Sequence, residues 1–219
     1  RRRLDWADFR APEYVSIDPM RTIAILPTAA IEQHGPHLPI GTDTLIASAI
    51  AIDVAARVPR RVVAPAIAIT ASGEHQGFPG TLSIGTEVMT AVLVELVRSA
   101  GWAERVVLVN GHGGNGDAMR RATDVFEHER RRVLVWWPDM AAATGEPGSV
   151  RGDLHAGRVE TSLMLALHPE LVRHERAVLL FEPAIEERAG EALLAPALAG
   201  RERAARGECR QLRRGAGAT

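Results

Sequence analysis

The chain has 219 residues, 46% of them hydrophobic and 24% charged, and is therefore long enough to bury one sizeable core. Its formal net charge of -1 gives no electrostatic reason to expect a nucleic-acid or anionic-membrane partner, because both favour a basic surface. No lysine occurs among its 26 basic residues and Cys209 is its single cysteine, which excludes Schiff-base lysine chemistry and an internal disulfide. Because no apolar run approaches the ~20 residues of a membrane span, we expect one soluble, cytoplasmic domain over residues 1–219, with no nucleic-acid or membrane partner.

Apolar runs alternate along the chain with segments of helical periodicity. The runs are short and rich in β-branched residues, which is typical of buried strands, and they cover TIAILP (22–27), RVVAPAIAIT (61–70), RVVLVN (105–110) and RRVLVWW (131–137). The segments between them place apolar residues at helical spacing over residues 44–58, 86–100 and 116–130. This alternation predicts an α/β fold of three layers, in which helices cover both faces of a mostly parallel central sheet.

The ends of the predicted helices carry some of the usual boundary signals. In the helix over residues 86–100, Thr86 is the expected N-cap and Gly101 the expected stop. A fourth helix is predicted over residues 156–168, and residues 182–214 are predicted to be helical with breaks. No internal repeat or low-complexity linker interrupts the chain, so the sequence indicates no domain boundary.

Polar clusters follow each of the four predicted strands. In a parallel sheet the loops beyond the carboxyl ends of the strands converge, and ligands collect in the crevice between them. The loops in question are AIEQHGPHLPIGTD (30–43), ASGEHQGFPGT (71–81), NGHGGNG (110–116) and DLHAGRVE (153–160). The sequence therefore predicts that most of its unusual polar side chains lie on one rim of the sheet.

The first loop carries Glu32, His34 and Asp43. Residues two apart in an extended segment point the same way, so Glu32 and His34 present a carboxylate and an imidazole to one point. Both groups are ligands for Zn, Mn or Fe, and one aspartate can bridge two ions with its two oxygens. The alternative interpretation is that Asp43 or Thr42 caps the next helix and that the histidines are ordinary surface residues.

The third loop, NGHGGNG, also has two interpretations. Gly111, Gly113 and Gly116 satisfy G-x-G-x-x-G between a strand and a helix, and Asp139 lies where a ribose-binding acid is sought. These features are typical of an NAD(P)-binding oxidoreductase. The loop follows the third strand rather than the first, however, and its variable position is His112, a ligand-type side chain. His112 favours a metal site shared with the first loop.

The fourth loop supplies His155 and Glu160. A spacing of five residues turns by about 140° on a helix, so the two are not an HExxH-type pair on one helical face. They converge if His155 lies in the loop and Glu160 in the first helical turn, although helix-dipole stabilisation alone also explains an acid there. No serine stands in a G-x-S-x-G turn and Cys209 has no nearby histidine, so metal-activated water is the best-supported nucleophile.

Four motifs, EQHGPHLPIGTD, GEHQGFPGT, VNGHGGN and HAGRVETS, together resemble the creatininase family of metal-dependent amidohydrolases. The resemblance implies a creatininase-like sheet layered by helices, and members that are often homo-oligomers. It also implies a catalytic histidine at His155 and two divalent metal ions, Zn, Fe or Mn, with Asp43 as the bridging ligand. The implied ligands are Glu32, His34, Asp43, His112 and Glu160.

Two departures from the family and one closer likeness refine this resemblance. Creatininase carries a tryptophan shortly before the histidine of the HAG motif, where this chain has Arg151 and Gly152. Creatininase has Tyr-Glu where this chain has Gly113 and Gly114, so proton transfer passes to another group, for which Glu74 and His75 of the second loop are candidates. The sequence is most similar to the mycofactocin-system branch, whose members are peptidases that remove a C-terminal Val-Tyr dipeptide from a modified precursor peptide. The resemblance thus implies a peptide substrate, with a small cyclic or linear amide as the alternative.

Overall fold

A four-stranded parallel sheet lies at the centre of the computed structural model, which describes residues 5–15, 18, 20–138 and 155–177. Its strands run in the spatial order β2-β1-β3-β4. They are β1 Ile23–Thr28, β2 Arg61–Val63, β3 Arg105–Asn110 and β4 Val133–Trp136. The register pairs Thr28 with Asn110, so β1 and β3 end at the same edge and their following loops leave the sheet side by side.

Helices connect the strands and follow the last of them. The α-helices of the described residues are α1 Ala11–Val15, α2 Thr42–Arg57, α3 Gly85–Ser99, α4 Gly116–His128, α5 Arg158–Leu167 and α6 His174–Ala177. Short 3₁₀ helices occur at Trp6–Asp8, Gly73–His75, Gly113–Asn115 and Pro169–Leu171. Among the helices of these residues, none combines the length and apolar character needed to cross a membrane.

The two faces of the sheet are covered by different helices, as the three-layer prediction requires. Alternate residues of a strand point to opposite faces, and in β1 Leu26 joins one apolar cluster while Ile25 joins another. The Leu26 cluster includes Leu93 of α3 and Phe126 of α4. The Ile25 cluster includes Ala51 of α2. Both faces of β1 are therefore buried, which is why this strand is a continuous apolar run rather than an alternating one.

The described residues group into two compact units. One is drawn from Arg1–Gln33 and Pro39–Pro138, and it contains the sheet with α1 to α4. The other is drawn from His34–Leu38 and Asp139–Thr219, and it contains α5 and α6. That residues 1–219 form a single domain stays a prediction.

The second strand is shorter than the sequence predicts. The predicted run over 61–70 contains Pro65, which has no N–H to donate to a neighbouring strand, and β2 ends at Val63. Beyond the proline the chain touches β1 again, where Ile67 donates a 2.9 Å backbone hydrogen bond to Pro27. The prediction of one buried strand over 61–70 is therefore wrong beyond Val63, where Pro65 and Ile69 are exposed.

The start of α3 also differs from the prediction. Thr86 lies inside the helix, which begins at Gly85 after the N-cap residue Ile84, and no side chain caps it. The predicted stop is close, because α3 ends at Ser99 and Gly101 follows two residues later. The helices predicted over 44–58, 116–130 and 156–168 correspond to α2, α4 and α5. The helix predicted over 182–214 lies outside the described residues.

Candidate functional site

Three buried ligand-type side chains meet beyond the carboxyl ends of β1 and β3. Glu32 follows β1, His112 follows β3 and Asp43 lies in the first turn of α2. Only 1% of Glu32, 5% of His112 and 2% of Asp43 is exposed. Nδ1 of His112 lies 3.2 Å from Oε1 of Glu32 and 3.2 Å from Oδ2 of Asp43. The fold thus brings together three of the five residues that the resemblance implies as metal ligands.

The helix-cap interpretation of Asp43 is wrong. The N-cap residue of α2 is Gly41, and no side-chain hydrogen bond caps the helix. Thr42 is also inside the helix, and its hydroxyl donates a 2.7 Å hydrogen bond to the carbonyl of Pro39. The carboxylate of Asp43 contacts His112 instead. A negative charge in the first turn is favoured by the helix dipole, so this placement stabilises the Asp43 carboxylate without making it a cap.

The two buried carboxylates of this cluster require a compensating positive charge. Burial by itself would lower the pKa of His112, but the hydrogen bonds that its ring makes with Asp43 and Glu32 outweigh burial and raise that pKa to about 10. A protonated His112 therefore compensates two buried carboxylates, whose charge is costly without a cation. Two carboxylates and an imidazole are also a donor set for Zn, Mn or Fe. One ligand atom from each side chain lies within 4.8 Å of the others, so these residues fit a divalent cation.

The second loop brings Glu74 and His75 to the same cluster. Oε1 of Glu74 lies 3.3 Å from Nε2 of His112. Nε2 of His75 lies 3.5 Å from Oε1 of Glu32. On the other side of that ring, Gln33 donates a 3.2 Å hydrogen bond to Nδ1 of His75. Because Nδ1 accepts, the proton of the neutral ring is on Nε2, the nitrogen that faces Glu32.

The NGHGGNG loop needs glycine at a position outside the G-x-G-x-x-G pattern. A Cβ atom at Gly114 would overlap Oε1 of Glu74 and Nε2 of His112, whereas one at Gly113 would meet nothing within 4 Å. The bare backbone at Gly114 therefore makes room for protein side chains. The dinucleotide interpretation gains no support here. The side chain of His112 contacts the carboxylates of Glu32 and Asp43, and Asp139 lies outside the described residues.

The second unit holds the other three predicted site residues. Glu160 lies in the first turn of α5 and His155 in the loop before it, which is the placement that lets the two converge. Nε2 of the fully buried His34 lies 3.9 Å from Oε2 of Glu160. The ring centroids of His34 and His155 are 4.4 Å apart. Glu160 also accepts a 2.6 Å hydrogen bond from the N–H of Ala156, so it stabilises the start of its helix as well as facing His34.

His37 of the first loop is a buried residue of the second unit. Its Nε2 lies 2.8 Å from the hydroxyl of Thr161 on α5, and its carbonyl accepts a 2.9 Å hydrogen bond from the N–H of Arg173. Burial, and next the nearby His34, lower the pKa of His37. His37 therefore fixes the His34 segment against α5.

Asn115 is a buried residue of the site that sequence reasoning missed. Its side-chain amide donates to the carbonyl of Ala29 at 3.2 Å and to Oδ1 of Asn110 at 3.0 Å. Its side-chain oxygen Oδ1 accepts a 3.2 Å hydrogen bond from the backbone N–H of Ala71. Asn110 in turn donates to the carbonyl of His112 at 2.7 Å. One amide thus joins the loops after β1, β2 and β3, and the only sequence signal was two asparagines bracketing a glycine-rich turn.

Replacing Asn115 with alanine is expected to lower the free energy of unfolding by at least about 2 kcal/mol, because each buried group left without a partner costs about 1–3 kcal/mol. Chemical denaturation followed by circular dichroism measures this change. The matched control is Gln76→Ala, which removes an exposed amide from the second loop and should change stability by less than about 0.5 kcal/mol. Equal effects of the two substitutions would contradict the joining role of Asn115.

The chain is similar to several known proteins. The family model described as creatininase, creatinine amidohydrolase, matches residues 7–208. A mycofactocin precursor peptide peptidase from Mycobacterium tuberculosis (strain CDC 1551 / Oshkosh) is 49% identical over 162 residues, which cover 69% of this chain and 61% of that relative. A creatinine amidohydrolase from Pseudomonas putida is 32% identical over 178 residues, which cover 71% of this chain and 68% of the relative.

A solved structure supports the fold. A mutant creatininase of Zn-Zn type superposes with a TM-score of 0.73 at 24% sequence identity, covering 95% of this chain and 99% of the solved chain. The three-layer α/β/α prediction is therefore confirmed, and so is the resemblance drawn from the four motifs. The match spans 61% of the length of the M. tuberculosis peptidase. With a family model that matches residues 7–208, the chain belongs to the creatininase family.

Proposed function

We propose that the chain is a metal-dependent hydrolase of an amide or peptide C–N bond, in which water is activated by two divalent ions of Zn, Fe or Mn. The observation that carries the proposal is the buried contact of His112 with Glu32 and Asp43. Buried carboxylates brought this close are costly unless a cation compensates their charge, and a bound metal ion would supply that compensation. The proposed ligands are Glu32, His34, Asp43, His112 and Glu160, with Asp43 bridging.

Divalent ions held by these residues would supply a water whose pKa is lowered toward ~7 and would polarise the amide carbonyl. The remaining proton transfers fall to side chains of the protein. His155 is the proposed catalytic histidine, which stabilises the tetrahedral intermediate or protonates the leaving nitrogen, because imidazole titrates near neutral pH. His75 is the candidate for a further proton transfer beside Glu32. Glu74, the other candidate of that loop, faces His112.

The proposed substrate is a modified precursor peptide, from which the enzyme removes a C-terminal Val-Tyr dipeptide. The 49% identity to a mycofactocin precursor peptide peptidase supports this choice. The 32% identity to a creatinine amidohydrolase supports the second candidate, a small cyclic or linear amide. The absence of a side chain at Gly113 favours the peptide, because a Cβ atom there would meet nothing within 4 Å and this position lacks the bulk that the Tyr-Glu pair adds in creatininase.

Removal of metal from the purified protein is expected to abolish hydrolysis, and adding back Zn, Mn or Fe is expected to restore it. Release of Val-Tyr from the precursor peptide is measured by mass spectrometry, beside a creatinine assay. Metal should also raise the free energy of unfolding, by about 2.7 kcal/mol at a concentration one hundred times the Kd. Hydrolysis that persists in the metal-free protein, or an unfolding curve that no metal shifts, would rule the proposal out.

The proposal also covers the oligomeric state and the cellular compartment of the protein. The family resemblance supports a homo-oligomer, and the single cysteine supports a reducing compartment such as the cytoplasm. Light scattering on the purified chain measures its mass against the 23.6 kDa of one copy. A mass of one copy at working concentrations would contradict the oligomer.

A further inference from the structure

The two nitrogens of His112 face chemically different surroundings. Nδ1 lies 3.2 Å from the carboxylates of both Glu32 and Asp43. On the other side of the ring, Nε2 lies 3.1 Å from the carbonyl oxygen of Ala71 and 3.3 Å from Oε1 of Glu74. The hydroxyl of Ser72 is 3.4 Å away. The ring is therefore held between the two-carboxylate cluster and a set of acceptors supplied by the second loop.

Both nitrogens of a protonated His112 donate, because carbonyls and carboxylates can only accept a hydrogen bond. Nδ1 faces the proposed ligands Glu32 and Asp43, so a metal ion bound there would replace the proton on Nδ1. Nε2 would keep its hydrogen, which it donates to the second loop. A metal ligand uses the unprotonated nitrogen of a neutral imidazole, and the partner of the other nitrogen fixes the tautomer and the ring orientation. From this geometry we propose that His112 binds metal through Nδ1, and that Glu74 is the positioning residue that orients its ring. The inference rests on the proposed metal site.

Gly114 is the feature of the sequence that makes this arrangement possible. A Cβ atom there would overlap both Oε1 of Glu74 and Nε2 of His112. Any other residue would therefore push the second-loop carboxylate away from the ring. Glu74 itself contributes little to the core, since 46% of its side chain is exposed. Its contact with His112 is thus a feature of the site that can be removed without opening a cavity.

The test measures zinc affinity in the full chain, by competition with a chromophoric chelator. Glu74→Ala is expected to weaken zinc binding by about 10–100-fold, which is typical of losing the partner of a metal-bound histidine. Glu74→Gln keeps an acceptor oxygen and should recover most of that loss. The control Glu95→Ala removes an exposed acid that pairs with Arg98 on α3, and should bind zinc like the wild type. Circular dichroism should show the same fold in all four proteins.

A second readout reports the tautomer directly. In the zinc-loaded protein labelled with ¹⁵N-histidine, the His112 signals are identified by their loss in His112→Gln. We expect a protonated Nε2 and a metal-bound Nδ1. A metal-bound Nε2, or zinc binding by Glu74→Ala within about twofold of the wild type, would overturn the inference while leaving the proposed hydrolase intact. A wild-type chain that binds no zinc, iron or manganese would overturn both.

Discussion

Glu32→Gln is expected to lose metal and hydrolytic activity together while the protein stays folded. Glu32 is 1% exposed, and its Oε1 contacts both His112 and His75. The substitution keeps the size of the side chain but replaces an anionic oxygen with a neutral amide, which is a poor ligand for Zn. Since losing a partner behind a ligand already costs about 10–100-fold in affinity, losing the ligand itself should cost more than about 100-fold. Metal analysis of the purified variant and the peptide assay measure the two effects.

The control for this substitution is Glu95→Gln, the same chemical change at an exposed position of α3. Glu95 pairs with Arg98 at the surface, and surface pairs contribute roughly 0–1 kcal/mol, so metal content and activity should match the wild type. Far-UV circular dichroism separates loss of metal from loss of fold. A Glu32→Gln protein that retains stoichiometric metal would contradict the assignment of Glu32 as a ligand.

His155→Ala is expected to lower kcat by about 10²–10⁴-fold, the usual contribution of a general acid or base, while metal content stays that of the wild type. His155 precedes α5, and its ring lies 4.4 Å from the ring of His34, measured between centroids. The proposal makes His34 a metal ligand and His155 a catalytic residue, so replacing each with alanine should have a different effect on metal content. His34→Ala should lose metal, whereas His155→Ala should keep it.

An exposed histidine of the same unit provides the comparison for His155. His174 lies at the start of α6 and is exposed, and His174→Ala should leave kcat and metal content unchanged. If His155→Ala instead lost metal along with activity, His155 would be a ligand rather than the proton donor. If it kept full activity, the catalytic assignment would be wrong.

The sequence was sufficient to predict the parallel sheet and its covering helices. Buried strands such as β1 and β3 are continuous apolar runs, and this pattern does not depend on the rest of the chain. The ends of strands and helices were predicted less accurately than their existence. Pro65 divides the predicted strand over 61–70 because it lacks an N–H, and Thr86 lies inside α3 although its side chain is a good cap.

The residue types of the site were also evident in the sequence, because carboxylates and imidazoles that follow parallel strands collect at one rim. Glu32, Asp43 and His112 do meet there. The sequence did not distinguish Asp43 as a helix cap from Asp43 as a site residue, since both occur at the first turn of a helix. The distance of its carboxylate to His112, 3.2 Å, decides between them.

By itself, then, the sequence determined the fold class, the family and the list of ligand-type residues, all of which depend on local pattern and motif order. Only the tertiary structure decided what each residue contacts. That Gly114 makes room for Glu74, that Glu74 faces His112, and that Asn115 joins three loops follow from contacts between residues that are distant in the sequence. Such contacts are set by how the strands pair and the loops pack, and no local spacing in the chain encodes them.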